Sequence, residues 1–145
     1  MKPTQVRSRV LDDHARLRWM LDEIESLAQR FEAGDAEGDP ALRKRGLALY
    51  ESFAEHLDLE DRLLAPALRA AGAPGSALRL AHEHREQREL LGYLLGRLKK
   101  QGQPTTLVAR ELRNFVEYVR FDMTHEEETM LTAAVLSDVD AARDA

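Results

Sequence analysis

The stretch His56-Leu-Asp-Leu-Glu60-Asp-Arg-Leu-Leu-Ala-Pro66 decides the fold of this chain. His56 and Glu60 are four residues apart. At roughly 100° of turn per residue, an α-helix stacks such a pair on one face. The apolar neighbours say which face. Leu42, Leu49, Phe53, Leu57, Leu64 and Ala67 recur at helical spacing, and His56 and Glu60 fall inside that stripe. An imidazole and a carboxylate on an inner face need partners, because burying unpaired polar groups is costly. They can serve each other as a buried hydrogen bond, or both can bind a metal ion. The pair alone leaves both readings open.

Around this stretch the chain divides into four helical segments. The first is expected from about Thr4 to Ala33, with Val6, Val10, Leu17, Leu21, Ile24, Ala28 and Phe31 inward. Gly34-Asp-Ala-Glu-Gly-Asp-Pro40 ends it, and Asp39-Pro40 suits the N-cap and first position of the second helix. That helix runs to about Ala70, where Ala71-Gly-Ala-Pro-Gly75 breaks the chain and Ser76 is placed to cap the third. The third carries Ala77, Leu80, Leu91, Leu94, Leu95 and Leu98 on one side. Gln101-Gly-Gln-Pro104 separates it from a fourth helix, expected from about Thr105 to Leu136, with Val108, Leu112, Phe115, Val119, Met123, Met130 and Ala133 inward. No run of alternating β-branched residues suggests a sheet. Long helices with short connections make an all-α, up-down-up-down antiparallel four-helix bundle over residues 1–136, with a short acidic tail at 137–145.

The second and fourth helices repeat one another. The shift that lays His56 on Asp122 lays Glu60 on Glu126, Phe53 on Val119, Leu57 on Met123 and Leu64 on Met130. The first and third helices also correspond: Asp13-His14-Ala-Arg-Leu-Arg18 lies on Glu83-His84-Arg-Glu-Gln-Arg88. Each of these brings one histidine, His14 or His84, to an inner face. His82 and His125 fall off the stripes and read as surface residues. Of Glu126-Glu-Glu128, only Glu126 points inward, and the rest reads as a solvated acidic patch.

The inner set is therefore His14, His56, Glu60, His84, Asp122 and Glu126, drawn from all four helices. Six ionisable groups converging in a core without a cation would be costly. Imidazole and carboxylate together suit iron, manganese or zinc. Six ligands exceed the needs of one tetrahedral zinc, and two octahedral ions sharing bridging carboxylates fit the count better.

Composition narrows the remaining classes. The chain has 145 residues, enough for one self-sufficient core, with 43% hydrophobic and 32% charged residues. A net charge of −5 disfavours nucleic acid and anionic membranes as partners. No apolar run approaches a membrane span, and no signal segment is visible, so the cytoplasm is the expected compartment. The absence of cysteine excludes disulfides, thiolate metal sites, iron–sulfur clusters and cysteine nucleophiles.

The chain resembles the hemerythrin-like proteins, or HHE cation-binding domain family, from about Val10 to Leu136. The resemblance is carried by His14, by His56 and Glu60 in the opening stretch, by His84 in Glu-His-Arg-Glu-Gln-Arg, and by Glu126 in Glu-Glu-Glu-Thr-Met-Leu. It implies a bundle holding two iron ions, with manganese or zinc as alternatives. Asp122 departs from the family pattern, which has histidine there. Oxygen carriers of the family also have a second histidine one turn from the first on the third helix, where this chain has Leu80 and Arg88. A centre poorer in nitrogen and richer in carboxylate favours higher oxidation states. The expected function is thus a non-haem diiron protein that reacts with or senses O2, peroxide or NO, with a small diatomic molecule or peroxide as ligand. An oxidoreductase acting on peroxide or O2 would be its enzymatic form. The alternatives are an oxygen carrier or iron store of the same fold, or a metal-free helical interaction module.

Overall fold

The computed structural model describes residues 1–34, 38–100 and 105–138. They form α1 (Pro3–Glu32), α2 (Gly38–Ala70), α3 (Pro74–Lys99) and α4 (Thr105–Thr129), packed as a bundle. Neighbouring helices run antiparallel. Glu23 of α1 meets Arg45 of α2 at 2.8 Å, whereas Asp13, nearer the start of α1, meets His56, further along α2. Likewise Gly46 lies against Leu98, while Glu60 meets His84. Arg113 pairs with Glu32, Arg120 with Asp22 and Glu25, and Glu127 with His14, which lays α4 antiparallel to α1.

Local chemistry sets most helix ends. Pro3 opens α1 with its φ already helical, and the Gln5 side chain accepts the Lys2 N–H at 2.8 Å. At the end of α2, Gly72 takes φ +79°, a conformation L side chains rarely adopt, and lets the Ala73 N–H reach back to the Leu68 carbonyl at 2.9 Å. Three expected boundaries differ. The third helix begins at Pro74 with Ala73 at the N-cap, so Ser76 lies inside it; proline, lacking an N–H, needs no cap there. The second helix begins at Gly38, which places Asp39 within it.

The third difference is the end of α4, at Thr129 rather than Leu136. The Leu131 N–H bonds the Glu126 carbonyl, one residue beyond the α-helical partner, and Arg7 Nε caps the Leu131 carbonyl at 2.6 Å. A turn follows that buries Met130, Leu131 and Leu136 and leaves Ala133, expected inward, exposed. Of the tail expected from 137, Asp138 accepts from Thr4 N and Oγ1 at 3.1 and 2.6 Å, and residues 139–145 lie outside the described residues. So do 35–37 and 101–104 within the expected breaks.

The core is split in two. One apolar cluster gathers Leu17, Leu21, Phe53, Leu91, Leu112, Val119 and their neighbours. A second gathers Val10, Leu64, Leu68, Leu80, Met130 and Leu136. Between these clusters, Asp13, His14, His56, Glu60, His84, Gln87 and Glu126 form a layer of buried polar side chains. The apolar clusters hold this layer in register and shield it from solvent on both sides. No helix among the described residues is long and apolar enough to cross a membrane.

Candidate metal centre

Helical spacing puts His56 and Glu60 on one face of α2, and Glu60 is the hub of the layer. Its Oε1 lies 3.1 Å from His56 Nε2 and 3.1 Å from His84 Nε2, and its Oε2 lies 3.8 Å from His14 Nε2. Glu126, one turn beyond Asp122 on α4, brings Oε1 to 3.2 Å from His14 Nε2. One ligand atom from each of His14, His56, Glu60 and Glu126 lies within 4.8 Å of the others, and all four side chains are buried. An octahedral ion with bonds of about 2.1 Å holds adjacent ligand atoms about 3 Å apart and opposite ones about 4 Å apart. The separations of 3.1, 3.2 and 3.8 Å fall in that range, and the 4.8 Å limit of the group requires its ligands to draw in slightly around an ion.

The hydrogen bonds give a second test of fit. His14 Nε2, Glu60 Oε2 and Glu126 Oε1 are buried without a hydrogen-bond partner. His14 Nε2 and Glu126 Oε1 are near enough for a bond yet lack its geometry. Unmet polar atoms at such depth are rare in folded proteins, and three converging on one point suit a cation between them.

Each histidine is held from behind. His14 Nδ1 donates to Glu127 Oε2 at 2.7 Å, His56 Nδ1 to Asp13 Oδ2 at 2.7 Å, and His84 Nδ1 to Asp61 Oδ1 at 2.6 Å. Each carboxylate is fixed in turn by an arginine: Glu127 by Arg18, Asp13 by Arg16 and Asp61 by Arg88, at 2.6–3.1 Å. The arrangement sets the tautomer that turns each Nε2 towards the centre and raises its basicity, as outer partners of metal-bound histidines do. Burial pushes the Asp13, Asp61 and Glu127 carboxyls up, but these arginine and histidine contacts outweigh it and hold all three below their ordinary range.

The inner groups depart further from ordinary behaviour. Burial pushes the His56 imidazole down, yet Glu60 and Asp13 outweigh it and raise it to about 9. Burial likewise opposes the charge of His84, and Glu60 and Asp61 raise it. Burial would lift Glu60, but His56 beside it keeps this carboxyl well below the usual range. Glu126 is pushed far up by burial and by the negative charge of Glu60. Without a cation, a proton on Glu126 separates the two carboxylates; an ion would take that role.

His84 and Asp122 lie outside the four-residue group. His84 touches it through Glu60. Asp122 is half-buried, near the Gln87 amide and within the field of Glu60, His84 and His14, and burial raises its carboxyl. His82 is exposed beside Glu86 at 3.2 Å, as its place off the stripe implies. His125 is half-buried and stacks on Phe121, away from the group.

Glu127 corrects the reading of its segment as a solvated patch, since it buries most of its side chain to hold His14. Asp13, Asp61 and their arginines were likewise not singled out in the sequence. A signal did exist, because each of these acids adjoins an inner-face residue: Asp13 beside His14, Asp61 beside Glu60, Glu127 beside Glu126. A neighbour on a helix points about 100° away, so it reaches the adjoining helix rather than the centre. Which histidine it meets there depends on helix packing.

A four-helix bundle with buried imidazoles and carboxylates from all four helices defines a class of protein, the metal-binding bundles. The match of residues 6–134 to the hemerythrin HHE cation-binding domain model narrows this, and the chain belongs to that family. No curated protein and no solved structure matches the chain.

Proposed function

We propose that this protein holds two iron ions and reacts with or senses O2, peroxide or NO. The observation that carries the reading is the convergence of the unpartnered His14 Nε2, Glu60 Oε2 and Glu126 Oε1 in a buried layer whose histidines are braced at Nδ1. His14, His56, Glu60 and Glu126 would hold one ion; His84 and Asp122, sharing Glu60 and Glu126, would hold the other. An iron pair in such a site supplies redox equivalents and open positions for a small ligand. The chain's own contribution is orientation and exclusion of water. Asp13, Asp61 and Glu127 aim the imidazoles. The apolar clusters on either side exclude bulk water.

Asp122 supports reactivity over reversible oxygen carriage. A carboxylate in a histidine's place offsets more of the ion's charge and stabilises the oxidised pair. The test begins with anaerobic iron loading and metal analysis, followed by stopped-flow mixing of the reduced protein with O2, H2O2 and NO. Two irons per chain and rapid oxidation by O2 or peroxide, or NO uptake, are expected. The Asp122→His variant should raise the reduction potential and lengthen the life of any O2 complex, and Asp122→Ala should weaken metal binding. A protein that takes up no iron under these conditions is an interaction module instead. If Asp122→Ala loads and reacts like the parent, the carboxylate-rich reading of the site fails.

A further inference from the structure

Gln87 is buried at 1% exposure, and neither its amide nitrogen nor its amide oxygen has a hydrogen-bond partner. It lies close to the Asp122 carboxylate and the Tyr118 hydroxyl, yet closes a bond to neither. A buried amide with both ends unmet is destabilising unless something else occupies the space beside it. Gln87 stands three residues after His84, so both point from α3 towards the centre.

Glu83 adds a second irregularity. Each helix places an acid beside an inner-face residue. Three of them reach an adjoining helix and hold a histidine: Asp13 on α1 holds His56 on α2, Asp61 on α2 holds His84 on α3, and Glu127 on α4 holds His14 on α1. The fourth, Glu83 on α3, holds no histidine and lies within the field of Asp122 on α4. It is half-buried, and burial and Asp122 both oppose its charge, with Arg79 and His125 near enough to favour it. Where the other three positions of the ring have an imidazole, this one has two carboxylates within each other's field and, beside Asp122, an unmet amide.

We propose that Gln87, with Glu83 and Asp122, completes an oxygen-donor ion position beside His84 and Glu60, distinct from the nitrogen-richer group of His14, His56, Glu60 and Glu126. The proposal rests on the dimetal reading above and adds the ligand role of Gln87 and Glu83. One imidazole among amide and carboxylate oxygens suits a hard octahedral ion, manganese(II) or iron(II), better than zinc or copper. The two ions of this protein would then bind with different affinities and different preferences.

Titration with manganese(II), counting the free ion by its electron paramagnetic resonance signal, separates the two positions. The parent should take up two ions, one tighter than the other. Gln87→Leu should keep the tighter ion within about twofold and weaken the other by about tenfold or more, the scale of effects around metal sites. Gln87→Glu restores an oxygen ligand and should recover the second ion. Thermal unfolding without metal gives a readout of opposite sign. Gln87→Leu removes a buried unmet amide, so the metal-free variant should unfold at a higher temperature than the parent while gaining less from manganese. Two ions bound by Gln87→Leu as tightly as by the parent, or a lower unfolding temperature without metal, would overturn the proposal and leave the dimetal reading standing. A parent that binds fewer than two ions overturns both.

Discussion

On the α1–α2 side of the centre, two imidazoles are aimed inward by buried or half-buried carboxylates, and each carboxylate is held by an arginine. On the α3–α4 side stand one imidazole, a half-buried aspartate, a half-buried glutamate and an amide without partners. The bracing is uneven too. The Asp13 side chain is 8% exposed and Asp61 40% exposed. On the first side the imidazoles are held at Nδ1 by the less exposed carboxylates before any ion arrives, and the unmet atoms, His14 Nε2, Glu60 Oε2 and Glu126 Oε1, converge on one point. On the second side both nitrogens of His84 are bonded, and the unmet atoms are the two ends of the Gln87 amide. A preorganised site loses little freedom on binding an ion, whereas the other must settle its ligands around it. Glu60 joins the two sides, since a single oxygen touches both His56 and His84.

The largest expected effect comes from removing that joint. Glu60→Ala should abolish uptake of both ions, a loss greater than the roughly 10–100-fold typical of an outer partner. Metal analysis after anaerobic loading checks it. One ion retained at parental affinity would show that the two sides are independent.

The next largest effect is on the dependence of stability on pH. His56 is raised in the folded, metal-free protein from 6.5 to about 9. It therefore contributes stability that is fully present below pH 6.5 and lost as pH rises through 9, about 3 kcal/mol at most. The raised Glu126 carboxyl acts in the same direction from its ordinary range upward. Denaturant unfolding of the metal-free protein at pH 6 and pH 9 should show the loss. With metal bound, His56 is no longer free to take the proton and the dependence should largely vanish. Equal metal-free stability at the two pH values would mean that His56 is not held as its neighbours imply.

Outer carboxylates should separate the sides directly. Asp13→Ala leaves His56 without its buried partner and should weaken the tighter ion about 10–100-fold. Asp61→Ala should cost less, because water can replace the more exposed carboxylate at His84. Competition with a metal-binding dye ranks the two, and a larger loss from Asp61→Ala would reverse the assignment of the preorganised side. The smallest effects belong to His82→Ala and His125→Ala. Neither side chain joins the four-residue group, so ion uptake should stay at the parental level, and stability after His82→Ala should change within about 0.5 kcal/mol. A marked loss of metal from His125→Ala would put His125 at the α3–α4 position instead of Asp122.

The chain's periodicity determined the four helices and the inward direction of His14, His56, Glu60, His84 and Glu126, because a helix fixes side-chain direction from spacing alone. The repeat between α2 and α4 pointed Asp122 to the same layer, and the structure leaves it half-buried and outside the four-residue group. The outer carboxylates were decided only in three dimensions. Asp13, Asp61 and Glu127 sit at the edges of their stripes, where a side chain meets either water or a neighbouring helix. Nothing in one helix says how its neighbour is rotated and shifted against it. The end of α4 was decided the same way. Leu131 and Leu136 gain burial in the second apolar cluster by leaving the helix, and Arg7 of α1 supplies the cap that makes the turn possible. Gln87 divides between the two: its spacing between His84 and Leu91 turns it inward, and only packing against α4 sets it beside Asp122 with both ends of its amide unmet.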